Sequence, residues 1–119
     1  MNVGDNASLG LPDAVCALES LQELRAENNG IETLPDAVGG MKALRELSLR
    51  GNRLAALPAS IVGLESLRTL DLRANALTEV PGWLVDLPAL QKLDLRWNQG
   101  PVASDAVRRL EARGCSVYL

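Results

Sequence analysis

Three arginines, Arg50, Arg73 and Arg96, stand 23 residues apart. A guanidinium is planar and presents its N–H groups as a fork, so a row of them suits bidentate capture of carboxylates. Asp71 and Asp94 precede Arg73 and Arg96 by two positions. On a strand that spacing puts each acid on the face of its arginine. Two chemistries stay open. One is a self-compensating ladder of surface ion pairs, each contributing only ~0–1 kcal/mol. The other is a row of donors for a partner's acidic groups. Trp97 follows Arg96 directly, and tryptophan and arginine are the residues most enriched at interface hot spots. The alternative for Trp97 is a ring folded down over a C-terminal helix to seal the end of the chain.

Catalytic chemistry has little to work with. The chain contains no histidine, the commonest general base and a frequent metal ligand. Cys16 and Cys115 lie near opposite ends, neither has a histidine partner, and both read as structural thiols. The pairs Gly39-Gly40 and Asn29-Gly30 lack phosphate-loop spacing and read as turns. We expect no catalytic residue, no bound metal and no cofactor, and therefore no enzyme.

Composition narrows the class further. The 119 residues suffice for one domain, 47% of them are hydrophobic, and aromatics are only 3% with no phenylalanine. The core must be aliphatic and leucine-dominated, which favours a regular stack of similar layers over irregular packing. The net charge of −3 makes nucleic acid a poor partner, because phosphate affinity rests on Lys and Arg. No apolar run approaches the ~18 residues of a membrane span, and no basic-then-apolar leader opens the chain. A cytoplasmic protein is expected, and abundant Ala, Gly, Arg and Leu point to a bacterial source.

The chain repeats itself. Residues 21–43 (LQELRAENNGIETLPDAVGGMKA), 44–66 (LRELSLRGNRLAALPASIVGLES) and 67–89 (LRTLDLRANALTEVPGWLVDLPA) superimpose at 23 residues without a gap. A degenerate copy and cap occupy 90–119. One step back carries Asn29 onto Asn6, Leu34-Pro35 onto Leu11-Pro12 and Met41 onto Leu18, so 1–20 is a partial repeat. The pattern LxxLxLxxNxLxxLPxxIxxLxx resembles the leucine-rich repeat family in its 23-residue form. It looks closest to short bacterial members and to the Ras-group-related repeat proteins of plants. The resemblance implies an α/β fold: a right-handed leucine-rich repeat solenoid, with a parallel concave sheet and short convex helical or 3-10 segments.

Elementary geometry supports that reading. In LRTLDL, Leu67, Leu70 and Leu72 face inward while Thr69 and Asp71 alternate outward. An amide side chain both donates and accepts, so a column of Asn6, Asn29, Asn52, Asn75 and Asn98 can satisfy the turning backbone layer by layer. Proline in each LP pair tightens the convex return. In SDAVRRLEARG, Ser104 is the expected N-cap of a helix, Asp105 lies in its first turn and Arg113 in its last. Gly114 stops it, and CSVYL adds a closing strand. This helix-strand unit caps the C-terminus.

Outward positions fall into columns: Glu23, Glu46, Thr69 and Lys92; then Asn2, Arg25, Ser48, Asp71 and Asp94; then Gly4, Glu27, Arg50, Arg73 and Arg96. A fourth, at the lip of the strand, holds Asp5, Asn28, Gly51, Ala74 and Trp97. The expected partner-contacting residues are Glu23, Arg25, Glu46, Arg50, Asp71, Arg73, Asp94, Arg96, Trp97 and Tyr118. Trp83, by contrast, is expected to pack across neighbouring convex segments. The expected function is non-catalytic binding of a protein partner, as yet unidentified, through the concave face, with neither nucleic acid nor membrane involved. The alternatives are the substrate-recognition part of a larger signalling or effector protein, and a self-associating structural protein. The first layer is expected to lack a polar cap ahead of Met1. That edge is expected to be a cut or degenerate cap, or an open strand that pairs with a second copy as a homodimer.

Overall fold

The computed structural model describes residues 1–5, 11–100 and 104–119; Asn6 lies outside the described residues. Each LxxLxL segment forms a three-residue strand: Glu23–Arg25 (β1), Glu46–Ser48 (β2), Thr69–Asp71 (β3) and Lys92–Asp94 (β4). A fifth, Ser116–Tyr118 (β5), completes a single parallel sheet in chain order β1-β2-β3-β4-β5. Glu23, Glu46, Thr69 and Lys92 are direct partners across it, as are Leu24, Leu47, Leu70 and Leu93. The sheet register is therefore the sequence period itself. Asn2 bridges Arg25 in the same parallel sense. Only β5 breaks step: Lys92 pairs with Ser116, 24 positions on.

Period-2 geometry explains what each strand buries. The central Leu24, Leu47, Leu70 and Leu93 point into the body, as do Leu44, Leu67 and Leu90 before the strands and Leu49, Leu72 and Leu95 after them. With Val38, Ile61 and Leu84, and Met41, Leu64 and Leu87, they form one continuous aliphatic core. A strand this short exchanges few ladder bonds, so the layers depend on burial and on what happens where each strand ends.

There the chain turns through a left-handed residue: Asp5, Asn28, Gly51, Ala74 and Trp97 all have φ between 54° and 75°. The asparagine that follows repairs the turn. The Asn52 side-chain oxygen accepts from the backbone N–H of Asn29 and Ile31, both at 3.0 Å, and its Nδ2 donates to the carbonyls of Ala26 and Leu49, both at 2.8 Å. All four hydrogen-bonding sites of the amide are used. Asn75 serves Leu54 N–H and the Leu49 and Leu72 carbonyls, and Asn98 serves Leu77 N–H and the Leu72 and Leu95 carbonyls. Asn29 donates to the Val3 carbonyl at 2.9 Å.

The return path runs through 3-10 turns at Asp36–Gly40, Ala59–Gly63 and Gly82–Asp86, each entered from Pro35, Pro58 or Pro81. Five residues suit the tight i to i+3 bonding of a 3-10 helix, and proline presets the entry φ. The first layer instead makes a single α-helical turn, Asp13–Cys16 (α1). Trp83 packs against the core from the third turn, as its bulk leads one to expect. Leu18 departs from its repeat: it is 40% exposed where its equivalents Met41, Leu64 and Leu87 are fully buried.

The last layer is closed by a helix, Asp105–Ala112 (α2), whose N-cap Ser104 Oγ accepts from the Val107 N–H at 3.3 Å. Ala106, Val107 and Leu110 are buried. Arg113 donates to the Val85 carbonyl at 2.7 Å and to the Leu87 carbonyl, tying the cap to the neighbouring 3-10 turn. Gly114, at φ 98°, then turns the chain into β5. Among the described residues no helix is long and apolar enough to cross a membrane.

On the convex side, adjacent 3-10 turns approach closely because two positions lack a side chain. A Cβ on Gly39 would run into the Ser60 carbonyl oxygen, and one on Gly63 would lie 2.5 Å from the Gly39 carbonyl oxygen. Neighbouring Gly40 faces open space. Gly39→Ala is therefore expected to destabilise by about 1–3 kcal/mol through overpacking. Gly40→Ala should be neutral or slightly stabilising. Urea melts of the two variants check the contrast, and equal losses would mean that interlayer spacing is not set by backbone contact.

Candidate functional site

The alternation that buries the leucines lifts the intervening side chains onto the concave face, where the 23-residue register lines them up. The groove there has a volume of about 360 Å³ and is lined by Glu23, Glu27, Glu46, Arg50, Asp71 and Arg73 among others. It is shallow and charged, and it holds no enclosed reaction chamber. Among the described residues no cluster of three or more His, Cys, Asp or Glu side chains is placed to hold a metal ion. Cys16 and Cys115 are free and buried. Burial pushes both thiols above their ordinary pKa, which suppresses the reactive thiolate.

The arginine column divides in two. Arg73 holds Asp71 in a fork, with Nε 3.0 Å from Oδ1 and Nη2 2.6 Å from Oδ2. Arg96 repeats the arrangement on Asp94, at 3.0 and 2.7 Å. Arg73 also reaches Asp94 across the layer at 3.4 Å. These two arginines form the self-compensating ladder. Arg50 does not: its position in β2's layer has Ser48 where the next two layers have aspartate, and it makes no ion pair among the described residues. At the first strand Arg25 pairs with Glu23 at 2.9 Å, and Ser48 donates to Glu27 at 3.1 Å. Glu46 is exposed and has no cationic partner among the described residues.

Asp94 is not placed to touch a partner, contrary to expectation. It is only 3% exposed, because both neighbouring arginines fold over it. Burial works to raise its pKa, but the side-chain and backbone hydrogen bonds from Arg96 and the charges of Arg96 and Arg73 outweigh that, holding the carboxyl below its ordinary value. Asp94 acts by fixing the two guanidiniums in place.

Trp97 does not fold down over the cap. It stands 62% exposed beside the arginine column. The guanidinium carbons of Arg50, Arg96 and Arg73 lie 5.5, 5.7 and 5.9 Å from its ring centroid, cation–π distances in each case. The ring thus spans three layers. Next to it Tyr118, 43% exposed, receives Arg96 at 5.4 Å and Lys92 at 5.5 Å. Lys92 was absent from the expected contact residues, although it is the basic member of a column otherwise holding Glu23, Glu46 and Thr69. Trp97 also occupies the left-handed lip position, at φ 64°, where a bulky side chain is a genuine outlier.

Comparison with known proteins agrees with this architecture. The family profile described as Leucine rich repeat matches residues 55–99, and a second of the same description matches 43–64. No curated protein sequence matches. Among solved structures, an LRR protein of Leptospira interrogans is similar over 92% of this chain at 35% identity, with a TM-score of 0.82. InlP of Listeria monocytogenes is similar over 76% at 32% identity and a TM-score of 0.66. The plant peptide hormone receptor RGFR1, solved in complex with RGF2, aligns over 99% at 23% identity and a TM-score of 0.78, a likeness of fold alone. The chain spans 28%, 25% and 20% of these three chains respectively.

Two predictions follow from the geometry at the lip. A carboxyl with a depressed folded pKa stabilises the fold fully above its unfolded value of ~3.9, and that contribution fades as pH falls through the folded pKa. Asp94→Asn should cost about 1.5–3 kcal/mol at neutral pH and make the loss of stability below about pH 4 shallower, as read in melts at stepped pH. At position 97, glycine enters the left-handed region freely and alanine does not. Trp97→Gly should therefore be more stable than Trp97→Ala by about 1 kcal/mol, the reverse of the order at ordinary positions.

Proposed function

The chain is a leucine-rich repeat protein, and from that premise we propose that it is a non-catalytic module that grips a protein partner with its concave sheet. The observation that carries this reading is Trp97, exposed at 62% on a left-handed backbone and surrounded by Arg50, Arg73 and Arg96. Exposed tryptophan and arginine held rigidly together are what a binding surface needs, because little rotamer entropy is left to lose on contact. Rigidity here comes from the ion pairs beneath: Arg73 and Arg96 are already anchored to Asp71 and Asp94. The shallow groove suits an extended or convex protein surface better than a small molecule, which needs enclosure. The convex side offers less. Its large apolar groups, including Trp83, are spent on the core.

A second reading places the same face in the service of a larger signalling or effector protein, recognising that protein's substrate. It is favoured by the fact that the chain spans 28% or less of each of these three similar structures. The two readings differ in what the module is joined to and agree on how it binds.

Capture of a partner from cell extract, quantified by mass spectrometry, tests the shared claim. Trp97→Ala and Glu46→Arg on the concave face should each weaken retention by about 30-fold, the scale of a lost hot spot. Asp36→Arg, an exposed substitution on a convex 3-10 turn, should leave it unchanged. Loss confined to the convex variant would move the site to the other side of the solenoid.

A further inference from the structure

We infer that the lip formed by Arg50, Trp97 and Tyr118 is a subsite for carboxylate side chains, so that the segment docking there is an acidic stretch of the partner. The inference rests on the concave-face reading above and adds the chemistry of what is bound.

The charge at this lip is opposite in sign to the chain as a whole. Four cations, Arg50, Arg73, Arg96 and Lys92, crowd two adjacent rings at 5.4–5.9 Å. Among the described residues two carboxylates, Asp71 and Asp94, pair with them, in a protein whose net charge is −3. The surplus is localised. Arg50 is exposed, and among the described residues its guanidinium pairs with no carboxylate and makes no hydrogen bond; it lies over the Trp97 ring. Lys92, likewise exposed, places its ammonium over the Tyr118 ring and makes no ion pair among the described residues. Arg73 and Arg96 engage their own acids through Nε and Nη2, leaving Nη1 of each without a hydrogen bond among the described residues. An incoming carboxylate would meet one wholly free guanidinium fork and two pre-oriented N–H groups.

The aromatic rings strengthen the site. A guanidinium stacked on tryptophan keeps its in-plane N–H groups free to donate while its face is covered. Trp97 therefore orients Arg50 without satisfying it. The side of the groove where the strands begin is acidic, with Glu23 and Glu46 exposed and Glu46 unpaired by any cation among the described residues. A bipolar face of this kind gives a docked chain a direction, carboxylates towards Trp97 and positive groups towards Glu46, and penalises the reversed orientation. A polyanion such as nucleic acid fits poorly. Its affinity needs many phosphate contacts, while among the described residues only Arg50 and Lys92 of this lip's four cations lack an acidic partner.

The test uses the full chain and its two tryptophan indole N–H resonances. Titration with a terminally blocked hexaglutamate peptide at low salt should shift the Trp97 resonance and leave that of the packed Trp83 unmoved. Arg50→Gln removes the free fork without breaking an ion pair, so its melting midpoint should match the parent while its apparent affinity falls about tenfold, the loss expected for one charge-assisted contact. Blocked hexalysine and inorganic phosphate at matched charge should not shift Trp97. An unmoved Trp97 resonance, equal affinity in Arg50→Gln, or an equal shift from hexalysine or phosphate would overturn the inference. Should Trp97→Ala lose the captured partner while hexaglutamate leaves the indole unmoved, the concave-face reading stands and this one falls. Should hexaglutamate bind while concave variants retain the partner, the converse holds.

Discussion

The buried asparagine amide is the interaction on which this solenoid depends. Every layer must bend sharply after a strand of three residues, and a bend inside an aliphatic body strands backbone donors and acceptors where water cannot reach them. Leaving one such group unsatisfied costs ~1–3 kcal/mol, and each layer has several. Asn52 answers with two accepted and two donated bonds at 2.8–3.0 Å, joining its own layer to the one before. Leucine could fill the same volume but would orphan four groups. The aliphatic core supplies attraction without direction, and the amide column converts it into a stack with a defined spacing and order.

That same bend creates the lip. Because the residue before each ladder asparagine must be left-handed, one edge of the concave sheet carries a column in which ordinary side chains are disfavoured. Asn28, Gly51 and Ala74 are small or tolerant of that geometry, and Trp97 is neither. The lip also lies directly beyond the arginine column, so a ring placed there reaches guanidiniums of three layers at once. Backbone necessity and surface chemistry meet at one residue.

Much of this was legible in the sequence, for a physical reason: a stack with constant spacing maps positions 23 apart onto neighbours, so register follows from arithmetic. The pairing of Glu23 with Glu46 and of Asp71 with Asp94, the role of Ser104, and the turn at Gly114 are all local or periodic features. What resisted reading depends on contacts between layers that are not equivalent. Gly39 looks like a turn glycine, yet its function is to let the Ser60 carbonyl approach. Asp94 looks like a surface acid, and becomes buried only because arginines from two layers close over it. The aspartates at 71 and 94 and the serine at 48 were visible; that this leaves Arg50 alone follows only once the forks at Arg73 and Arg96 are seen. Leu18 shows the limit of periodicity, since equivalence of sequence does not bring equivalence of burial.

A strictly periodic surface presents the same chemistry at every layer and so cannot distinguish one docking position from the next. Specificity has to come from where the period is broken. On the concave face the breaks gather at one end: Lys92 puts a cation in a column of Glu and Thr, Trp97 replaces a small or polar residue, and the final strand arrives one position late, carrying Tyr118 in the column otherwise held by Arg25, Ser48, Asp71 and Asp94. Each break alone is compatible with ordinary variation in a cap. Their convergence on two exposed rings and an uncompensated guanidinium is harder to explain by capping, because a cap gains by hiding aromatic surface and this one displays it. The repeats fix the register of the sheet, and the departures from it are concentrated in the last layer and the strand that closes it.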